Sequence, residues 1–410
     1  MSIKKEKIPI VRFRDFSEPW IKNQLSEVAE FSKGRGYSKK DLQSHGTPII
    51  LYGRLYTSYE SVISNVETYA NLEENSVVSE GGEVIIPASG ESADDISRAS
   101  CVIDRGIILG GDLNIVRPHE YLNSLFIAIT LSNGSQQREL SKRAQGKSVV
   151  HLHNSDLKAV KLFYPSYEEQ SAIGSLFRTL DDLLASYKDN LANYQSLKTT
   201  MLSKMFPKAG QTIPEIRLDG FEGEWEKYYL GDIFEQVSNY IEPSKENELW
   251  SLTVEKGLTP KTDRYKRDFL VKKNDKFKKV DVQEFVYNPM NLTLGALDLN
   301  DNEVTISVSG YYVVMKNRNM EKFDNDFLKI LLKTTYAIYQ YKQFATGTLI
   351  EKQRVQFPTF SGIPFYLPPI AEQQAIGSYF SNLDNLINSY QEKISQLETL
   401  KKKLLQDMFI

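Results

Sequence analysis

"LPPIAEQQAIGSYFSNLDNLINSY" (residues 367–390) is the stretch that decides the fold, because "YPSYEEQSAIGSLFRTLDDLLASY" (residues 164–187) carries nearly the same pattern earlier in the chain. The two copies align at a constant offset of 203 residues, so that Gly174 matches Gly377. Self-similarity at a fixed distance indicates duplicated structural units.

A second matched pair opens each half of the chain, 205 residues apart: "IPIVRFRDFSEPWIKNQLSEVAEF" (residues 8–31) and "IPEIRLDGFEGEWEKYYLGDIFEQ" (residues 213–236). We call these the leading segments. The stretches that follow them, 132 residues (32–163) and 130 residues (237–366), show little likeness in sequence. The chain is therefore a duplicated frame around two divergent segments.

Each copy of the repeated stretch continues into a long apolar stripe with alternating steps of four and three residues. Nine of the ten stripe positions are apolar in both copies, and the tenth is a lysine, Lys198 or Lys401. This spacing predicts two long helices that pack on each other through a narrow seam. The predicted seam comprises Ile173, Phe177, Leu180, Leu184, Tyr187, Leu191, Ile376, Phe380, Leu383, Ile387, Tyr390 and Ile394. Two unrelated helices on separate domains are the alternative, and the lysines either snorkel or set the register.

The divergent segments read as mixed α/β. Apolar and β-branched patterns bounded by turn residues predict strands within residues 47–63, 82–89, 101–109, 278–290 and 302–317. Helical patterns occupy residues 123–131 and 326–344.

These patterns predict an α+β fold: two mixed α/β domains related by pseudo-two-fold symmetry and separated by two long antiparallel coiled-coil helices. Prolines before each repeat mark the helix starts. The expected boundaries are 1–164 for the first domain, 165–207 for the central helix, 208–366 for the second domain and 367–410 for the C-terminal helix.

Composition narrows the cellular setting. The 410 residues include one cysteine, Cys101, which excludes an intrachain disulfide and favours a reducing cytoplasm and a buried role for this thiol. No run of eighteen apolar residues occurs, and no apolar segment follows the basic N-terminal residues. We therefore expect neither secretion nor a membrane span.

Charge is sorted along the chain although its net value is only -3. Residues 60–95 hold nine acidic and no basic residues, whereas residues 256–279 hold ten basic and three acidic residues. Sorted charge can form a basic face on a nearly neutral molecule.

Motifs for bond chemistry fail their positional tests. Residues 146–148 (GKS) end like a phosphate-binding loop, but the first glycine of that pattern is replaced by Ser141. Residues 287–290 (YNPM) lack the second proline of an amino-methyltransferase motif. His151 and His153 share a strand face, yet four histidines and one cysteine supply no zinc-type ligand set. We expect no catalytic residues and no metal site.

A pseudo-two-fold protein with two unlike surfaces matches double-stranded DNA that is read at two separated places. A helix of about 33 residues spans about 50 Å, which is comparable with the separation of about 34 Å between half-sites one DNA turn apart. An antiparallel helix pair lets each domain enter its own half-site, whereas a parallel pair would bring both domains to one end.

The doubled Glu-Gln-x-x-Ile-Gly phrase with its long helix, and the doubled Ile-Pro-x-(Val/Ile)-Arg-(Phe/Leu)-x-x-Phe-x-x-x-Trp phrase, resemble the specificity subunit of type I restriction-modification systems. The resemblance covers the whole chain, and the order of its parts is more specific than any single motif.

This resemblance implies a non-catalytic cytoplasmic protein of a phage-defence system, with two target recognition domains that each read one part of a split, asymmetric DNA sequence. It implies that the helix pair fixes the gap between those parts. It further implies two modification subunits that bind S-adenosylmethionine and methylate adenine, and restriction subunits that cleave DNA with ATP and Mg. No cofactor is implied for this chain itself.

Base and phosphate contacts are expected from basic, amide and aromatic residues on loops. In the first domain the candidates are Lys33, Arg35, Tyr37, Lys39, Arg54, Tyr56, Arg138, Lys142, Arg143 and Lys147. In the second they are Lys256, Lys261, Arg264, Lys266, Arg267, Lys342, Thr346 and Lys352. The acidic stretch 60–95 is expected to point away from DNA or toward a partner subunit.

The repeated pairs Glu169-Gln170 and Glu372-Gln373 begin the two helices. Their carboxylates either complement the helix dipole or, as the resemblance implies, contact the modification subunits. Two other classes of function remain open: an adaptor whose coiled coil joins two protein-binding modules, and a self-sufficient enzyme, which the failed motif tests disfavour.

Overall fold

The computed structural model describes residues 9–146, 149–244, 247–261, 277–347 and 353–409. It divides into two compact units, and the division cuts both long helices. The first unit comprises Met1–Asp189 with Glu392–Ile410, and the second comprises Asn190–Gln391. Each unit therefore holds one divergent segment and part of each long helix.

The first half of the chain has short strands and helices followed by one long helix. Its strands are β1 (Ile21–Gln24), β2 (Ala29–Lys33), β3 (Thr47–Ile50), β4 (Val62–Ile63), β5 (Tyr69–Ala70), β6 (Glu83–Pro87), β7 (Ser89–Gly90), β8 (Ser100–Val102), β9 (Ile108–Leu109), β10 (Leu113–Pro118), β11 (Val150–His151) and β12 (Lys161–Tyr164). Its helices are α1 (Leu25–Val28), α2 (Arg54–Thr57), α3 (Ala93–Ile96), α4 (Ser124–Leu131), α5 (Gly134–Arg143), α6 (Asn154–Lys158) and α7 (Tyr167–Lys204), with a 3-10 turn at Lys39–Asp41.

The second half repeats this order. Its strands are β13 (Glu226–Tyr229), β14 (Phe234–Val237), β15 (Trp250–Thr253), β16 (Gly257–Pro260), β17 (Phe277–Val280), β18 (Phe285–Tyr287), β19 (Leu297–Leu299), β20 (Ile306–Ser309), β21 (Val313–Asn317) and β22 (Pro364–Leu367). Its helices are α8 (Leu230–Ile233), α9 (Asn325–Leu331), α10 (Thr335–Phe344), α11 (Phe357–Ser361) and α12 (Ile370–Asp407), with a 3-10 turn at Leu292–Leu294.

The two divergent segments share a core sheet. Its order is β2-β10-β6-β8 in the first unit, where β4 adds an edge strand, and β14-β21-β18-β19 in the second. The four shared strands pair antiparallel in both units. Two segments with little likeness in sequence therefore share one sheet, because many apolar sequences can build the same buried strands.

What differs between the units is attached to that sheet. The first unit adds a three-stranded sheet with the order β5-β3-β9, whereas the second adds the pairs β15-β16 and β17-β20. The frame and the core sheet thus carry unlike surface elements, as the α+β prediction requires.

An aromatic contact closes the core of each unit in the same way. Trp20 meets Phe126 of α4 edge to face at 5.7 Å between ring centroids, and Trp225 meets Phe327 of α9 at 6.0 Å. The two tryptophans are 8% and 3% exposed. The leading segments therefore pack into the cores that follow them, and each such aromatic pair adds to the hydrophobic gain.

The helices α7 and α12 each contain 38 residues, which corresponds to about 57 Å. In the first unit, Lys188 pairs with Glu398 at 2.7 Å, and Asp181 pairs with Lys401. Residue numbers rise on one helix as they fall on the other, so the segments run antiparallel. The second unit repeats this direction, and the predicted antiparallel pair is confirmed within each unit.

Two local predictions were wrong. Within the predicted strand 47–63, residues 54–57 form α2, because Leu55 turns into the core and Thr57 N–H bonds to Gly53 O at 3.0 Å. The predicted helix 326–344 is two helices, because Thr334 accepts a hydrogen bond from Ala337 N–H and caps α10. Side-chain capping of this kind interrupts an apolar pattern that otherwise reads as continuous.

None of the helices in the described ranges combines the length and the apolar character that crossing a bilayer requires.

Candidate nucleic-acid interface

A buried ion pair ties each leading segment to the start of its long helix. Arg12 donates two hydrogen bonds of 2.7 Å to Glu169, whose side chain is 1% exposed. Arg217 repeats this contact with Glu372 at 2.8 and 2.5 Å. The hydrogen-bonded carboxylate raises the pKa of both Arg12 and Arg217. Each bidentate pair fastens the leading segment to the first turn of its long helix.

The glutamine that follows each glutamate joins the long helix to its domain. Gln170 accepts from the backbone N–H of Asn123 at 2.9 Å, and Gln373 accepts from that of Asp324 at 2.9 Å. Each glutamine also donates to the carbonyl of the proline five residues earlier, at 2.9 and 2.8 Å. Asn123 and Asp324 are the N-caps of α4 and α9. The repeated phrase therefore positions equivalent helices in both units.

The side chains of the repeated glutamate and glutamine pairs are buried within the protein. Glu169, Gln170 and Gln373 are each 1% exposed, and Glu372 is 0% exposed. Their hydrogen bonds all lie within their own unit. The contact with a partner subunit stays a prediction, and the role that the geometry gives them is to dock each long helix onto its domain.

The predicted seam residues are buried or half-buried along both helices. The stripe lysines point across the helix pair: Lys198 binds Asp384, and Lys401 binds Asp181. Asp181 and Asp384 are themselves matched by the repeat. These ion pairs are partly exposed, so each contributes little stability, but together they favour one register of the helices.

Two arginines of the first unit that were predicted to contact DNA form ion pairs with carboxylates of the protein itself. Arg54 donates to Glu60 and to the carbonyl of Asn65, both at 2.7 Å. Arg143 binds Glu139, one helical turn away, at 2.9 Å. These arginines mainly support local structure in the free protein.

The predicted aromatic contacts are also held in place. The Tyr37 hydroxyl donates to the carbonyl of Asn71 at 2.8 Å. Tyr56 is half-buried, and burial next to Tyr52 raises the pKa of Tyr56 to about 12. The remaining candidates are exposed and form no hydrogen bond or ion pair through their side chains with described residues: Lys33, Arg35, Lys39, Arg138 and Lys142.

Backbone hydrogen bonds bring distant candidates to one edge of the first unit. The turn between β9 and β10 is central: Gly111 N–H bonds to Gly36 O, and Ala88 N–H bonds to Asp112 O, both at 2.7 Å. β7 then pairs with β11, which follows α5. The turn that carries Arg35 and the loop after α5 are therefore connected. α2 reaches the same edge through its contact with α3.

The last part of the acidic stretch lies at this edge as well. α3 packs against α5 because Ile96 is fully buried, and this brings Asp94 to 3.4 Å from Ser141. The expectation that the acidic stretch points away from DNA or toward a partner subunit stays a prediction, and Asp94 lies beside the helix that carries the candidates Arg138 and Lys142. Carboxylates at such an edge can accept hydrogen bonds from the amino group of cytosine.

In the second unit, the candidates within the described residues are exposed: Lys256, Lys261, Lys342 and Thr346. Lys256 lies at the tip of the β15-β16 hairpin, which Asp298 fastens by accepting from Leu258 N–H at 2.9 Å. Lys333 neutralises the same carboxylate at 2.5 Å. The hairpin is thus held against the core sheet while its lysine faces solvent.

Equivalent loops follow α5 and α10. Gln145 and His151 exchange backbone hydrogen bonds of 3.0 and 2.8 Å, and Thr346 and Arg354 exchange bonds of 3.0 and 2.9 Å. In both units the residue after this bridge donates at 3.0 Å to the turn that follows β6 or β18. The described ends of the loops that follow α5 and α10 therefore lie at corresponding positions in the two units.

Five predicted contacts lie outside the described residues and stay predictions: Lys147, Arg264, Lys266, Arg267 and Lys352.

Sequence reasoning missed the role of the two helix C-termini. Phe206 packs 5.7 Å from Phe327, and Phe409 stacks 5.9 Å from Phe126. The signal was present, because the dipeptide Met-Phe directly follows both helices at the repeat offset of 203. The residues that follow each long helix are therefore part of the core of one unit.

His151 and His153 lie side by side. The rings of His151 and His153 are parallel with centroids 6.3 Å apart. Among the residues that the structure describes, no three His, Cys, Asp or Glu side chains are grouped to hold a metal ion.

The arrangement matches known proteins in sequence and in fold. The family model described as type I restriction modification DNA specificity domain matches residues 17–193 and again 222–399. The type I restriction enzyme MjaVIII specificity subunit of Methanocaldococcus jannaschii is 20% identical over 409 residues, covering 95% of this chain and 91% of that protein.

The putative type I restriction enzyme MjaX specificity subunit of the same organism is 23% identical over 312 residues, covering 73% of this chain and 70% of that protein. A solved S subunit of a type I restriction-modification system from M. genitalium has a TM-score of 0.60 at 15% identity, covering 98% of this chain and 99% of that one. The structural likeness supports a shared fold.

Proposed function

Because the chain belongs to the family of type I restriction modification DNA specificity domains, we propose that it is the specificity subunit that reads a split, asymmetric DNA target. Each unit contributes one target recognition domain. The observation that carries this proposal is the duplicated frame and core sheet, which present unlike surface elements in the two units. Equal scaffolds with unlike surfaces fit one duplex that is read at two different half-sites.

The proposal assigns catalysis to other subunits. Two modification subunits would bind S-adenosylmethionine and methylate adenine, and restriction subunits would cleave DNA with ATP and Mg in the cytoplasm. This chain would supply DNA contacts and the scaffold, without a cofactor of its own. Its two buried arginine–glutamate pairs support a frame built for positioning.

Methylation mapping tests the proposal. The chain would be co-expressed with its modification subunits, and methylated adenines in the host DNA would be mapped. We expect one motif made of two short specific parts around a gap of fixed length. A contiguous motif, or methylation that does not depend on this chain, would contradict the proposal.

Inserting four helix-forming residues after Asp189 is expected to lengthen α7 by about 6 Å and to increase the gap in the methylated motif. The position lies at the division between the two units, and a second insertion of four residues after Gln391 lengthens α12 equally, so that the contacts between the helices within each unit are kept. Both half-sites should keep their bases. The readout is the methylated motif of the variant complex.

A matched insertion into residues 208–212, beyond the end of α7, lengthens only the connection that follows the helix and should leave the gap unchanged. If the helix variant changed a half-site and left the gap unchanged, the proposal that the helix pair sets the gap would be contradicted.

A further inference from the structure

The turn at residues 34–37 is rigid, although its two glycines suggest flexibility. A Cβ atom on Gly34 would lie 1.8 Å from the carbonyl oxygen of Gly110, and one on Gly111 would lie 2.7 Å from the carbonyl oxygen of Gly36. Real Cβ atoms do not approach oxygen so closely. The absence of side chains at Gly34 and Gly111 therefore lets this turn pack directly against the turn that leads into β10.

Backbone strain is held in the same turn. Tyr37 has a φ of 56°, in the left-handed region that costs a non-glycine residue free energy. Three contacts of its hydroxyl compensate: it donates to Asn71 O at 2.8 Å, lies 2.5 Å from Ser76 Oγ and accepts from Glu73 N–H at 3.1 Å. The glycine packing and the hydrogen bonds of the Tyr37 hydroxyl together hold the turn in one conformation, so its side chains leave the surface in fixed directions.

Arg35 is the cation that this turn presents. Its backbone N–H bonds to Leu109 O at 3.2 Å, and its side chain is exposed. Within the described ranges, its guanidinium has no hydrogen bond or ion pair. The exposed lysines Lys33 and Lys39 flank it along the chain. A fixed backbone, a free planar guanidinium and flanking ammonium groups are what a base contact between two phosphate contacts requires.

Among the predicted DNA contacts of this unit, Arg138 is the other arginine whose side chain forms no hydrogen bond or ion pair with described residues, and its setting differs. Arg138 of α5 lines a groove together with Arg178 and Asp181 of α7, beside the long helices. Arg54 and Arg143 are already bound to carboxylates. Arg35 is therefore the arginine whose surroundings favour direct contact with a base edge.

We propose that Arg35 reads a guanine of the first half-site in the major groove, while Lys33 and Lys39 hold the neighbouring phosphates. Arginine donates two parallel hydrogen bonds to O6 and N7 of guanine, a pairing that lysine cannot reproduce in the same bidentate form. This inference rests on the proposed function of the chain.

The test compares Arg35→Ala, Arg35→Lys and Lys39→Ala in the complex with the modification subunits. We expect both Arg35 variants to lose preference for one guanine in one half-site, by about 10- to 100-fold. The other half-site should be unchanged. Lys39→Ala should weaken binding to all sequences alike and reduce the slope of log affinity against log salt by about one.

Tyr37→Phe provides a second variant that keeps the ring and removes the hydroxyl contacts. This variant should reduce the preference for the same guanine less than Arg35→Ala does. The turn loses the hydrogen bonds of the Tyr37 hydroxyl, but the guanidinium of Arg35 is still present.

Three outcomes separate the possibilities. If both Arg35 variants weaken binding to all sequences alike, as Lys39→Ala is expected to do, Arg35 contacts a phosphate and the inference is wrong. If Arg35→Ala leaves a split motif unaltered, the inference fails while the proposed function stands. If the unmodified complex shows no split motif, the proposed function fails and the inference fails with it.

Discussion

Phe409→Ala is expected to destabilise the first unit by about 3–5 kcal/mol, the range for removing a buried phenylalanine ring. Phe409 is 6% exposed, and its ring lies 5.9 Å from Phe126 and 5.8 Å from Phe177. The residue follows the second recognition domain in sequence but belongs to the core of the first unit. The loss of stability should therefore appear in residues that lie far from Phe409 in sequence.

The rate at which the Cys101 thiol is labelled measures how often the first unit opens. The thiol belongs to the same core and is 2% exposed, and burial raises its pKa to about 12. Because the thiolate is the reactive form, maleimide should label it slowly in the folded protein at neutral pH. Phe409→Ala should accelerate labelling, since opening of the first unit exposes the thiol.

Phe206→Ala is the matched control. It removes the equivalent ring from the core of the second unit, where Phe206 packs 6.1 Å from Phe380. We expect lower stability of the second unit with an unchanged rate of Cys101 labelling. Equal acceleration in both variants would show that the units do not open separately.

Arg12→Ala is expected to cost about 3–5 kcal/mol, because it leaves the carboxylate of Glu169 buried without its partner. The side chain of Glu169 is 1% exposed and accepts two hydrogen bonds from this arginine. Urea denaturation followed through the Cys101 thiol would measure the loss in the first unit. Arg217→Ala should have an equivalent effect on the second unit and leave the Cys101 signal unchanged.

The double variant Arg12→Met with Glu169→Leu separates the charge from the packing. Replacing both members of a buried ion pair with apolar residues removes the desolvation cost as well as the attraction. We expect this protein to recover most of the lost stability. A double variant as unstable as Arg12→Ala would show that the ion pair is required for more than charge compensation.

The repeat allowed the frame to be predicted because it obeys simple periodic rules. Steps of four and three place one stripe on one helix face, and the matched lysines marked the positions where Lys198 and Lys401 form ion pairs across the two helices. The shared sheet escaped sequence comparison. Its strands are short, and burial selects apolar character rather than particular residues.

The surface was harder to predict because exposure alone does not tell which charges are free. Arg54 and Arg35 looked alike in sequence, yet one is bound to Glu60 and the other has a free guanidinium. The rigidity of the turn near Arg35 depends on Gly110 and Gly111, which lie more than seventy residues away. Such contacts exist only once the chain has folded.

Exchange of residues 237–366 for the equivalent segment of another family member tests the central claim most directly. The donor should keep an aromatic residue at the position of Phe327, because Phe206 and Trp225 pack against it. Methylated adenines would be mapped for the parent and the hybrid complex. The account predicts that one half of the motif changes while the other half and the gap stay the same. A hybrid that alters both halves would contradict it.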